Sequence, residues 1–298
     1  MLRICFFVFL LAFQPALHGQ KVDKKLTSQL EAAVKGFNGD IGIYVKNLRT
    51  GKIASIHADS IFPTASIVKV PILLGVMDKI SRGELQYDSA LVYRDSLLYE
   101  GEDILGSFRD AEKILLKKVI MLMLTTSDNT ASLWLQKLAG TGTRINQLLD
   151  SLGYKVTRVN SRTPGRESSR AAYGWGQTSP LEMAQIFESI YRNRLFNTAV
   201  CDRMMRVLGR NFWDEDEALS QIPPYVEVFS KNGCVNASRS EVLLVNAPNN
   251  PYIFCIFTKN NKDISWTHDN EAWALARKLS KMLWDYFEPK DGWQAPVN

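Results

Sequence analysis

The sequence predicts an α/β fold with an all-α lobe inserted into it, and three features of the 298-residue chain point there. Strand-like runs cluster at the two ends: Ile41–Leu48 and Ile53–Ala58 early, then Val226–Ser230, Glu241–Val245 and Tyr252–Thr258 late. Between residues 66 and 208 the apolar spacing is helical wherever it is regular. An amphipathic helix lies near each end, at Lys21–Val34 and Asp269–Phe287. The simplest assembly joins both strand groups in one five-stranded antiparallel sheet with the terminal helices on one face. Residues 21–62 and 210–298 then form the α/β lobe and residues 63–209 the helical lobe, with a cleft between them as the natural place for a site.

Each element has its own reason. Val22, Leu26, Leu30, Ala33 and Val34 fall on one stripe of the opening helix. Arg49-Thr50-Gly51-Lys52 is turn chemistry and makes the first two strands a hairpin. Ser66–Ile80 reads as a helix entered through Pro63-Thr64 and stopped at Arg82-Gly83. Leu115–Leu124, Asn129–Ala139, Arg144–Leu152, Ser179–Tyr191 and Thr198–Leu208 continue the helical block. Tyr154–Trp175 lacks a period and is rich in Gly, Pro, Ser and Arg, so it reads as a long loop, and loops of that length tend to carry function. In the last helix Trp273, Ala276, Leu279, Leu283 and Phe287 share one side.

Residues 1–20 stand apart. Arg3 precedes the apolar run Ile4–Phe13 and a short polar exit, Gln14–Gly19, which is the pattern of a cleaved secretory leader. The mature chain is therefore expected to be periplasmic or secreted, without a stable membrane anchor. At 46% hydrophobic and 22% charged, the composition is that of a globular protein with a real core. The formal charge of +5 drops to about +4 without Arg3, and it is spread thinly, with no basic cluster among aromatics. Nucleic acid is excluded as the expected partner. With Cys5 in the leader, the mature chain keeps Cys201, Cys234 and Cys255, odd in number and far apart, which argues against a disulfide framework or a zinc site; Cys234 and Cys255 read as small buried hydrophobes. No metal or other cofactor is expected, and a monomer acting on a small molecule is.

Three short stretches carry chemistry. Ser66 and Lys69 are three apart, so on a helix they share a face. A hydroxyl beside an amine is an activated nucleophile once burial or a nearby cation lowers the amine's pKa. Thr126-Ser127-Asp128-Asn129 interrupts two apolar helical segments; the same residues would also serve as a helix N-cap. Lys231-Asn232-Gly233 follows the strand Val226–Ser230, where a Lys with a Gly beside it suits a carboxylate site. Lys290-Asp291-Gly292 shows how common that last pattern is, but no strand precedes it.

In combination, S-x-x-K, S-D-N and a strand-closing K-x-G, 61 and 104 residues apart in this order, resemble the class A β-lactamases and related penicillin-recognising serine enzymes. The resemblance spans the mature chain, including P-T-A-S-I-V-K-V-P-I, T-S-D-N-T-A and T-S-P-L-E-M-A. It implies a β-lactamase/DD-peptidase-like fold and a site in which Ser66 is the nucleophile, Lys69 its base and Ser127 the relay of a proton to the leaving nitrogen. Lys231 and Asn232 would hold a substrate carboxylate, Asn129 an acylamide side chain, and the backbone N–H groups of Ser66 and Cys234 an oxyanion beside Gly233. Arg239 resembles the family's supporting arginine.

Two positions depart from that pattern. Asn232 replaces the usual Thr or Ser, so binding is expected to be altered and not lost. The long loop should carry a Glu that activates the deacylating water, yet the ungapped register puts Thr163 there, followed by Pro164. A threonine is no general base near neutral pH, which leaves Glu167, four residues on, as a candidate substitute. The implied activity is an exported serine hydrolase that forms an acyl-enzyme with β-lactams and releases it slowly. The alternative is a penicillin-binding or esterase-like relative acting on envelope peptides or esters. A pure binding module has no need of the nucleophile and base, and His57 and His268 lie in no nucleophile-elbow context.

Overall fold

The computed structural model describes residues 21–101 and 103–295; the expected leader, residues 1–20, lies outside them. The five main strands are β1 (Asp40–Asn47), β2 (Ile53–Ile56), β3 (Val228–Val235), β4 (Ser238–Val245) and β5 (Tyr252–Lys259). They form one antiparallel sheet in the order β2-β1-β5-β4-β3. The chain closes it by pairing its first and last strands, with Ile43 opposite Ile256 and Tyr44 opposite Cys255. β4 and β5 are buried on both faces, which explains the unbroken apolar runs Val242–Val245 and Tyr252–Phe257 within them.

The period-2 alternation of the strands divides two cores. Ile43, Val45, Leu243, Phe254 and Ile256 pack with Leu26 and Leu30 of α1 (Lys24–Ala33) and with Leu279, Leu283 and Trp284 of α9 (Glu271–Phe287). Tyr44, Val242, Leu244, Ile253 and Phe257 face the other way, onto the helical block. That block comprises α2 (Lys69–Ser81), α3 (Leu116–Thr125), α4 (Asn129–Leu138), α5 (Thr141–Ser151), α6 (Glu167–Tyr173), α7 (Pro180–Tyr191) and α8 (Thr198–Leu208). α2 is its axis: Val70, Ile72, Leu73, Leu74, Val76 and Met77 are all fully buried, so this helix is apolar on every side.

Three local expectations are corrected. Ser66 does not open the α-helix; it sits in a 3₁₀ turn over Ala65–Val68, and α2 begins at Lys69. Lys231-Asn232-Gly233 does not end a strand, because β3 continues to Val235. The segment 154–175 is not structureless. Residues Arg158–Val159 pair with Gly176–Thr178, which pairs in turn with Phe62–Pro63, and α6 lies between the first two in the chain. Such two- and three-residue pairings leave no readable period in a sequence.

A single carboxylate organises the entry to that segment. Glu182 in the first turn of α7 accepts N–H bonds from Lys155 (2.6 Å), Val156 (2.9 Å) and Thr157 (2.7 Å), and the Thr157 hydroxyl at 2.7 Å. Asn146 of α5 clamps Val159 through both its backbone groups, at 2.9 Å each. Glu182→Ala would leave those buried donors without an acceptor, which costs about 2–3 kcal/mol. A thermal melt of that variant should fall by roughly 3–5 °C for a chain of this size; an unchanged melt would show that water replaces the carboxylate.

Candidate active site

The site assembles where three elements meet: the 3₁₀ turn, the α3–α4 break and the middle of β3. The turn is strained into place, with Ala65 at φ +43°, and the break likewise, with Ser127 at φ +61°. Asp128 is indeed an N-cap: its carboxylate accepts from Ala131 N at 2.7 Å and from Leu105 N at 2.8 Å. Because Asp128 takes the capping role, its neighbours Ser127 and Asn129 are released toward Lys69.

Lys69 is the hub. Its side chain is fully buried at the head of α2. Nζ donates to Ser66 Oγ at 3.0 Å, Ser127 Oγ at 2.9 Å, Asn129 Oδ1 at 2.8 Å and the Ser127 carbonyl. Burial, then the neighbouring charge of Lys231, holds its pKa well below the usual lysine range. A free amine in hydrogen-bond contact with two hydroxyls can take a proton from one and return it through the other.

β3 presses directly on the turn. A Cβ at Gly233 would stand 2.4 Å from the Thr64 carbonyl and 2.9 Å from the Ser66 and Ile67 amide nitrogens, all backbone. Only glycine permits that approach. Beside it Lys231 is fully buried and donates to Asn232 O and Oδ1, both at 3.0 Å. Burial brings its pKa down to about 8, against the opposing pull of Glu217.

Ser66, Asn129 and Cys234 sit between the two halves of an open cleft. One half, about 790 Å³, is lined by Ser127, Asn232, Glu217 and the aromatic rings of Trp213 and Trp266. The other, about 460 Å³, is lined by Tyr99, Trp175, residues 172–174 of the long segment and β3 beyond Cys234. Tyr99 and Trp175 meet edge to face, with centroids 5.1 Å apart.

Ser66, Lys69, Ser127, Asn129, Lys231, Asn232, Gly233 and Cys234 are thus brought together; Arg239, Thr163 and Glu167 are not. Arg239 points its guanidinium at the carbonyls of Val235, Asn236, Ser238 and Ser265, sandwiched 4.2 Å from the Trp266 ring and 4.8 Å from that of Trp273. It braces the wall of the cleft from behind. Thr163 turns inward: Oγ1 donates to Ser161 O at 2.9 Å and fills the space over Gly142, where a Cβ would lie 1.8 Å from it. Glu167 is exposed and caps its own segment, accepting from Gly165 N at 3.1 Å. Cys234 is not a buried core residue; its thiol donates to Glu217 Oε1 at 3.2 Å, and burial next to that carboxylate pushes the thiol pKa well up.

Two carboxylates escaped the sequence reading. Glu217 is 5% exposed and accepts from Asn232 Nδ2 at 2.7 Å. Glu241, opposite Asn232 on β4, accepts from Ala218 N at 2.6 Å. Burial raises the pKa of both, and the nearby charge of Glu217 adds to the upward push on Glu241. The sequence signal was the acidic run Asp214-Glu215-Asp216-Glu217, which is easily read as a solvated loop.

The Beta-lactamase enzyme family profile matches residues 25–287. The chain belongs to that family. Its fold is the β-lactamase fold, and it is a serine hydrolase of that type. Beta-lactamase VEB-1 from Pseudomonas aeruginosa is 21% identical over 293 residues, covering 94% of this chain and 96% of that protein. Among solved structures, a leucine-to-glutamate variant of PBP-A, as an acyl-enzyme complex with penicillin G, matches with a TM-score of 0.79 at 22% identity, over 91% of this chain and 98% of that one. A class A β-lactamase representative from Bacteroides cellulosilyticus matches with a TM-score of 0.77 at 21% identity, over 88% and 96%.

The strand contact supplies a test of how this β-lactamase-family site is held. Gly233→Ala should destabilise by about 1–3 kcal/mol in urea unfolding, because backbone must move on both sides of the added methyl. Gly292→Ala, in open space past α9, should leave the unfolding midpoint unchanged. Equal midpoints for the two variants would contradict the close approach.

Proposed function

We propose that this protein is an exported, β-lactamase-type serine hydrolase that forms an acyl-enzyme on Ser66 and releases it slowly. The observation that carries this reading is the contact of buried Lys69 Nζ with both Ser66 Oγ and Ser127 Oγ, at 3.0 and 2.9 Å. Ser66 Oγ attacks the β-lactam carbonyl while Lys69 takes its proton. Ser127, in reach of Lys69, passes a proton to the leaving nitrogen as the C–N bond breaks. The backbone N–H groups of Ser66 and Cys234 stabilise the oxyanion, and the Lys231 ammonium supports the negative charge that develops nearby. The leader-like residues 1–20 support export.

Slow release follows from where the carboxylates lie. Thr163 has no basic group and faces the helical core, and Glu167 faces solvent. The Tyr99–Trp175 half of the cleft has no carboxylate among its described lining residues. A missing general base slows a step by about 10²–10⁴-fold. Incubated with penicillin G, the mature protein should therefore accumulate a persistent adduct, visible in intact mass and mapping to Ser66, and Ser66→Ala should show none. Fast turnover without an adduct would overturn slow release; no adduct and no turnover would overturn the function.

The two lysines set the pH dependence. Acylation needs Lys69 neutral and Lys231 charged. Lys69 loses its proton well below the usual lysine range, so the rate rises with pH through that lower value. Lys231 keeps its proton only up to about 8, so the rate falls again as pH passes 8. Stopped-flow acylation should trace a bell with its alkaline limb near pH 8, and Lys231→Ala should remove that limb.

A further inference from the structure

Glu217 stands where the carboxylate of a bound substrate would have to be received. The half of the cleft that contains the Ser127 hydroxyl is the half that takes the leaving group, because Ser127 is the hydroxyl that can protonate it. Along that wall Lys231 donates to Asn232 Oδ1 at 3.0 Å, and Asn232 Nδ2 donates to Glu217 Oε1 at 2.7 Å. The Asn232 amide therefore bridges an ammonium and a carboxylate already present in the protein. The charge of Lys231 is answered internally, and one of the amide donors expected to receive a substrate carboxylate is occupied.

The field of the same half points the same way. Asp103, Asp214, Glu215, Asp216 and Glu217 line it, and no Lys, Arg or His does among the described residues. Lys69 and Lys231 lie fully buried beneath its floor, and Arg239 is committed to backbone carbonyls behind its wall. At its mouth Phe212, Trp213 and Trp266 are each more than half exposed; Trp266 already carries Arg239 on one face, and the ring faces of Phe212 and Trp213 attract cations. The loop that carries Phe212 and Trp213 is tied down, with Phe212 N on Thr125 O at 3.0 Å and Trp213 Nε1 on Thr126 O at 3.1 Å. An anion entering here approaches like charge in a partly enclosed cleft, where screening is weaker than at an open surface.

We propose that Glu217 makes this site select acyl compounds whose departing group carries a cation and disfavour those whose departing group carries a carboxylate. The inference rests on the acylation of Ser66 proposed above and names the substrate class for it. The preferred substrate is an ester or amide of a cationic alcohol, thiol or amine. The Ser66 Oγ–acyl bond forms and the bond from the acyl carbon to the leaving atom breaks; the Ser66 proton passes to Lys69, Lys69 and Ser127 relay a proton to the leaving atom, and the leaving group, neutral at that atom, departs with its cation beside Glu217. Penicillins carry a carboxylate on that side, so they acylate Ser66 against this preference.

Matched thioesters test it: phenylacetyl thioesters of thiocholine, of 2-mercaptoethanol and of mercaptoacetate, which present a cation, a neutral group and an anion on one acyl part. Ser66 acylation by each is followed by intact mass and divided by that ester's rate with hydroxide, which removes intrinsic reactivity. In the wild type, the normalised rate should be at least about tenfold higher for the thiocholine ester than for the mercaptoacetate ester. In Glu217→Gln, which keeps an acceptor for Asn232, that ratio should shrink about tenfold, through a slower cationic ester and a faster anionic one. The wild-type ratio stands as a test even if the variant folds poorly. A wild-type ratio at or below one, or a ratio that Glu217→Gln leaves unchanged, overturns the preference while leaving Ser66 acylation intact. Neither adduct nor turnover with any thioester or with penicillin G overturns the acylation reading and this inference together.

Discussion

The site depends on one costly arrangement, two lysine side chains buried within a single enclosure. Neither Lys69 nor Lys231 retains any exposed surface. Removing an ammonium from water is unfavourable, and each charge makes the other harder to hold. The response divides the pair. Lys69 has its pKa held well below the usual lysine range by burial and by the neighbouring charge of Lys231. Lys231 has buried carboxylate charge nearby and keeps its proton into the neutral range. Two chemically identical groups acquire opposite roles from their surroundings alone.

Holding that arrangement requires rigid support on every side. α2 cannot shift, because it is apolar all round and packed on all faces, so the residue at its head is fixed. The α3–α4 break is pinned by Asp128 below and by Asp103, which accepts from Asn129 N at 3.0 Å and Thr130 N at 2.7 Å. β3 is pressed onto the nucleophile turn through Gly233. Much of the apolar burial in the helical lobe thus serves to compensate for polar groups held against their solvation preference.

Legibility followed the range of the interactions. The five strands, both terminal helices and most of the helical block were readable because burial imposes a period of 2 or 3.6 on neighbouring residues. Thr198–Leu208 coincides with α8, and Glu241–Val245 lies within β4. The motifs that bring Ser66, Lys69, Ser127 and Lys231 to one site were readable because their spacing reports a family. What failed lacks any local signature. The short pairings around residues 158–178 are specified by partners far along the chain. Arg239 sits near the site on its strand, yet its guanidinium is captured by two tryptophans and a loop that sequence order does not reveal. Glu217 looks like its three exposed-looking acidic neighbours until β3 brings Asn232 and Cys234 against it.

By itself the order of residues determined which chemical groups the chain possesses and which helices and strands carry them, since periodicity and short motifs are encoded between near neighbours. Tertiary structure alone decided which of those groups meet. It turned Thr163 into the core, set Glu167 on its own helix end and placed Glu217 beside Lys231. A side chain's charge state and orientation follow from the groups packed around it, and those come from segments tens to hundreds of residues away.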